Sequence, residues 1–101
     1  MTDITVEELK VRLDKGEKIK IIDVREPYEF EEFNIGGELI PLSTLPAHLD
    51  DLETFKDYEI VVHCRSGGRS ANAKAFLNSV GFTKVRNLLG GMMDWQMKYP
   101  G

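Results

Sequence analysis

His63-Cys64-Arg65-Ser66-Gly67-Gly68-Arg69-Ser70 is the stretch on which the reading of this chain turns. The apolar run Ile60-Val61-Val62 precedes it, and Ala71-Asn72-Ala73-Lys74-Ala75-Phe76-Leu77 follows. A short apolar run ended by a glycine-containing turn predicts a buried strand, and the alanine-rich segment predicts a helix. The only cysteine of the protein therefore falls at the carboxyl end of a strand, in a turn, just before a helix N-terminus. Backbone N–H groups in such a turn converge on one point, and the helix dipole adds partial positive charge there. Arg65 and Arg69 add whole charges. All of this favours the thiolate over the thiol, which is the setting of a nucleophile. The alternative, a small buried hydrophobe, suits a cysteine inside Ile60-Val61-Val62 better than one set among arginines and glycines.

Working outward, the same alternation of strand and helix continues. Ile4 opens a short first strand, and Thr5 with Glu8 forms a capping box for a helix over Val6 to Lys15. Val6, Leu9 and Leu13 give that helix its apolar stripe, and Gly16 closes it. Lys18 to Val24 reads as a strand too apolar for a sheet with one wet face. Pro27 suits the first turn of a helix over Glu26 to Phe33. Asn34-Ile35-Gly36-Gly37 is a turn before a short strand at Leu39-Ile40, which Pro41 limits. Weak helical segments follow around Leu45 to Leu49 and Leu52 to Phe55. The strand Glu59 to His63 carries Cys64, and the helix behind it runs from Arg69 to Val80 and ends at Gly81. Val85 to Leu88 is a last strand and Gly91 to Lys98 a last helix. Strands and helices in this rhythm predict an α/β fold with a parallel sheet covered on both faces. Ligands of such sheets bind at the carboxyl ends of the strands, where Cys64 lies.

With 101 residues, 42% of them hydrophobic, the chain is expected to form one domain over 1–101. One cysteine makes no internal disulfide and suits a reducing compartment. The N-terminal stretch is acidic where a signal peptide needs basic and apolar blocks, and no apolar run is long enough to span a membrane. A cytoplasmic monomer is the expectation. The net charge of −4 is unevenly spread: every acidic residue but Asp94 precedes Ile60, whereas Arg65, Arg69, Lys74, Lys84 and Arg86 follow it. A positive field around Cys64 would draw an anionic substrate or an acidic partner. An acidic chain with no basic stripe argues against nucleic acid.

Three motifs in order resemble those of rhodanese-like domains. They are Asp23-Val24-Arg25-Glu26 with Glu29-Phe30, then the His63 to Ser70 loop, then Leu89-Gly90-Gly91 followed by Trp95. The resemblance covers essentially the whole chain and implies a three-layer α/β/α fold around a five-stranded parallel sheet. It also implies sulfur transfer: Cys64 attacks the outer sulfur of a donor such as thiosulfate, becomes a persulfide, and passes the sulfur to a nucleophilic acceptor. N–H groups of Arg65, Ser66, Gly67, Gly68, Arg69 and Ser70 would stabilise the persulfide, and Arg65 and Arg69 would hold the anionic donor. No metal or organic cofactor is required. Related phosphatases and arsenate reductases place five residues between cysteine and arginine, Cys-x5-Arg, whereas here the loop is one residue shorter, Cys64-x4-Arg69. A tighter turn suits a single sulfur better than a phosphoryl group. The family's usual His-Ile-Pro-Gly-Ala is replaced by Asn34-Ile35-Gly36-Gly37-Glu38, which leaves substrate preference open.

Among the remaining residues, Asp23 and Arg25 are expected to form an ion pair or to orient the loop. Strand alternation turns His63 away from the face of Cys64, as a packed core histidine. One cysteine and two distant histidines make no metal site. Ser66 and Ser70 are candidate donors to sulfur, Ser70 alternatively a support of the helix start. Trp95, Met92 and Met93 are expected to close the core, and Leu42 to Leu45 to line the pocket. With no second cysteine, the sulfur must leave to cyanide, a small thiol, thioredoxin or a sulfur-carrier protein. The contrasting reading is a rhodanese-like protein-interaction or regulatory module.

Overall fold

The computed structural model describes residues 1–100. Five strands, β1 (Ile4–Thr5), β2 (Lys20–Asp23), β3 (Glu38–Leu39), β4 (Ile60–His63) and β5 (Val85–Leu89), alternate with helical segments. These are α1 (Val6–Asp14), α2 (Pro27–Glu32), α3 (Leu49–Leu52), α4 (Gly68–Ser79) and α5 (Gly91–Lys98). The sheet runs β1-β5-β4-β2-β3 with all pairs parallel. The strand that leads into Cys64 is thus the central one.

Alternation along the strands builds two apolar layers. Ile22, Val24, Ile60, Val62 and Val85 face Ala73 and Leu77 of α4, with Leu45 and Leu52 beside them. Ile4, Ile21, Val61 and Leu88 face Leu9 of α1 and Met92 and Trp95 of α5. Both faces are covered, so the strands read as continuous apolar runs rather than as alternating ones. The three layers are those expected. The capping box of α1 is formed as read: the Glu8 N–H donates to Thr5 Oγ1 at 3.1 Å, and the Thr5 N–H donates to Glu8 Oε1 at 3.0 Å.

Several boundaries differ from expectation. Pairing of β2 with β4 begins at Lys20 opposite Ile60, so Lys18 and Ile19 lie outside the strand. β3 takes Glu38–Leu39 rather than Leu39-Ile40, in register with Ile22 and Asp23. The weak helical region is a 3-10 stretch over Leu42–His48, then α3, then a 3-10 turn over Glu53–Phe55. Pro46 inside the first stretch lacks the N–H an α-helix would use.

Candidate active site

Beyond His63 the chain turns sharply, and Gly67 makes the turn possible. Its φ of 111° is a left-handed conformation open to glycine at little cost, and it is the N-cap of α4. The turn aims donors at the cysteine. The Gly67 N–H donates to Cys64 Sγ at 3.2 Å and the Ser70 N–H at 3.4 Å. Ser70 Oγ lies 3.3 Å from the same sulfur. Cys64 is only 1% exposed, and that burial disfavours its charge. Hydrogen bonding at the sulfur, to which the backbone N–H groups of Ser70, Gly67 and Ser66 contribute, acts against burial and prevails, holding the thiol below its ordinary value.

A second element closes on the loop from the other side. At the start of α5 the Met92 N–H donates to the Cys64 carbonyl at 3.0 Å and the Met93 N–H to the Arg65 carbonyl at 2.9 Å. A Cβ at Gly91 would stand 2.5 Å from the Cys64 oxygen and 2.6 Å from that of Arg65. Only a glycine lets the helix come this near, which gives Leu89-Gly90-Gly91 a physical role: it docks α5 on the nucleophile's backbone.

The two arginines separate in role. Arg69 is held in a fork-to-fork pair with Glu29 of α2, at 2.7 and 2.9 Å. That pair holds Glu29 down to about 2, with the Arg69 hydrogen bonds as the main cause. Arg65 is exposed and forms no ion pair among the described residues. Asp23 and Arg25 form a buried ion pair: Arg25 Nε and one terminal nitrogen bind the carboxylate at 2.9 and 2.8 Å, and the latter also reaches the Phe33 carbonyl at 2.7 Å. Arg25 thereby ties the end of β2 to the exit of α2.

His63 is wholly buried with neither ring nitrogen hydrogen-bonded, the Asp23 carboxylate being 3.8 Å away. Burial drives its pKa down to about 4, so the ring is neutral at pH 7. Ser66 is exposed at the tip of the loop. One site residue escaped the sequence reading altogether. Asn87 of β5 is buried, donating from Nδ2 to the Gly67 carbonyl at 3.2 Å and accepting at Oδ1 from Ser70 Oγ. A lone amide inside Val85-Arg86-Asn87-Leu88 was the available signal.

Beside the loop opens a cleft of about 510 Å³, lined by Arg25, Tyr28 and Glu29 from the β2–α2 side and by Arg65, Met93 and Met97 opposite. Met93 is half exposed, so of the three residues expected to close the core only Met92 and Trp95 do so. The helical phase that buries Met92 and Trp95 turns Met93 outward. Leu42 and Leu45 do not line the cleft either. Leu45 is fully buried under α4, and Leu42 packs against the same cluster. Among the described residues, no group of three or more His, Cys, Asp or Glu is placed to hold a metal ion, and no helix is long and apolar enough to cross a membrane.

A parallel sheet with a cysteine loop cradled between two helix starts defines the class of protein. Residues 5–98 match the rhodanese-like domain, and the chain belongs to that family. A protein of Allochromatium vinosum named Sulfurtransferase is 34% identical over 96 residues, the match covering 94% of this chain and 88% of that one. The putative sulfur carrier protein YrkF of Bacillus subtilis is 37% identical over 95% of this chain, which spans 51% of its length. The crystal structure of a rhodanese-like domain protein from Staphylococcus aureus superposes with a TM-score of 0.82 at 35% identity, covering 94% of this chain and 91% of that one.

Proposed function

We propose that this chain is a rhodanese-type sulfurtransferase that carries sulfane sulfur on Cys64. The observation that carries the reading is the pair of N–H groups, from Gly67 and Ser70, aimed at the sulfur of a cysteine placed just before a helix N-terminus. The thiolate attacks the outer sulfur of thiosulfate. A bond forms between Cys64 Sγ and that sulfur, the S–S bond of the donor breaks, and sulfite leaves with its electron pair. The persulfide is an anion, and the loop donors are placed to stabilise it. An external thiolate or cyanide then attacks the outer sulfur and returns Cys64 as thiolate.

Arg65, exposed beside the cleft, is the residue to receive the anionic donor. Arg69, already paired, serves to fix the loop against α2. The sulfur sits nearly closed off, which suits transfer of a single slender atom better than of a tetrahedral phosphoryl group. These steps need no metal or organic cofactor. The absence of a second cysteine makes the acceptor another molecule, and a likeness to a protein named as a sulfur carrier supports a protein thiol in that place.

Thiocyanate formation from thiosulfate and cyanide tests the reading. Native protein should turn over, and Cys64→Ser should lose at least about three orders of magnitude in rate. Native protein inert towards thiosulfate and towards a persulfide donor alike would move the assignment to an interaction module.

A further inference from the structure

The contacts of Asn87 fix where protons lie around Cys64. Its Nδ2 donates to the Gly67 carbonyl at 3.2 Å, and its Oδ1 is 2.5 Å from Ser70 Oγ. A carbonyl oxygen only accepts, so the amide nitrogen must face Gly67 and the amide oxygen must face Ser70. The amide oxygen also only accepts, so this short contact holds the single hydroxyl proton of Ser70. That proton is then missing from the other contact of Ser70, the 3.3 Å approach to Cys64 Sγ. What Ser70 offers the sulfur is a lone pair, which accepts from an S–H and repels a thiolate.

We propose that Asn87 and Ser70 form a positioning pair that sets the thiol–thiolate balance of Cys64: Asn87 draws the Ser70 hydroxyl proton to itself and so makes Ser70 an acceptor for the Cys64 S–H. This reverses the role expected of Ser70, and it leaves thiolate stabilisation to the backbone N–H groups of the loop. On ionisation, Ser70 must either keep its lone pair against the charge or turn its proton to sulfur and strand the buried amide oxygen. A persulfide meets neither penalty in full, because Sγ becomes a neutral bridging atom and the charge moves to the outer sulfur. The pair therefore restrains the resting thiolate more than the sulfur-loaded form. That consequence rests on the sulfur-transfer reading, whereas the proton arrangement does not.

The other charged and titratable groups near the site do not bond this pair. Arg65 faces the cleft from the loop, and Arg69 of α4 is paired with Glu29 of α2. Asp23 and Arg25 bind each other at the end of β2, and His63 is neutral and unbonded. Asp3, which accepts the Asn87 backbone N–H, is paired with Lys74, and Asp94 of α5 with Lys98. None of them hydrogen-bonds the Ser70 hydroxyl or the Asn87 amide group.

The test is the pH dependence of alkylation by iodoacetamide, a readout belonging to Cys64 alone because the protein has one cysteine. It needs no sulfur donor, so it stands or falls separately from thiosulfate activity. With Asn87 intact, Ser70→Ala should leave the midpoint unchanged or lower it, by up to about one pH unit. Asn87→Leu frees the hydroxyl proton for sulfur and should lower the midpoint. In that background Ser70→Ala should raise it again, so the effect of one substitution changes sign. Raman spectroscopy of the native protein at low pH needs no variant at all. An S–H stretch at the frequency of a hydrogen-bonded donor is expected. A Ser70→Ala midpoint that rises with Asn87 intact, or a native S–H band at the frequency of a free thiol, overturns the proposal.

Discussion

Charge is handled in opposite ways at the two ends of β4. Just before the strand, Glu59 is closed off by cations: Arg12 grips its two oxygens at 2.7 Å each and Arg86 adds a contact at 2.9 Å. The Arg12 hydrogen bonds hold Glu59 down to about 2. Just after the strand, Cys64 is met by backbone N–H groups, and Arg65 beside it, which forms no ion pair among the described residues, faces an open cleft. Side-chain partners satisfy a charge and leave it inert. Backbone donors stabilise a charge while leaving an arginine free for whatever approaches. The amino end of β4 thus joins α1 to β5 through a finished network, and the carboxyl end keeps its chemistry unspent.

If that contrast holds, substitutions at the two ends should separate stability from turnover. The largest effect is expected where the fold is built against the nucleophile. Gly91→Ala forces a methyl group into the Cys64 and Arg65 carbonyls. It should cost about 3 kcal/mol in urea unfolding and depress the rate as well, because the loop must move.

His63 comes next, since it adjoins Cys64 in sequence but serves the fold. Its folded pKa of about 4 lies below the ordinary 6.5, so between these values the unfolded chain binds the extra proton. Stability should fall as pH drops from 6.5 towards 4, by up to about 1.4 kcal/mol per pH unit. His63→Leu should flatten that part of the unfolding profile while the pH profile of the rate constant at saturation keeps its shape. A rate profile altered with the stability profile would break the separation.

Arg65→Ala should raise KM for thiosulfate about tenfold with little change in melting temperature, the pattern of a lost binding contact. The smallest effect belongs to the amino end. Glu59→Gln should cost about 1 kcal/mol or less, because solvent screens this partly exposed cluster, and should leave turnover unchanged.

Much of the fold was legible because local chemistry and global packing agree. The Thr5–Glu8 capping box, Pro27 at a helix start and the apolar strands each have one sensible structural outcome. The Leu42–Phe55 stretch was less so, because Pro46 and scattered leucines are compatible with several turn types. At the site, Cys64 and its glycines could be read from the strand–turn–helix pattern. What could not be read were partners brought together by the sheet. Glu29 lies 40 residues before Arg69, and Asn87 lies 17 after Ser70 on another strand. No periodicity links such pairs. Met93 is a different case, since the helical phase that buries Met92 and Trp95 turns it outward.

Intact mass of the reduced protein after incubation with thiosulfate tests most directly that Cys64 carries sulfur. The native chain should gain the mass of one sulfur atom, lose it on adding a thiol, and release sulfite in equal amount, with Cys64→Ser unchanged throughout. A native chain that gains no sulfur from thiosulfate or a persulfide donor, or a Cys64→Ser chain that gains as much as the native one, would contradict the account.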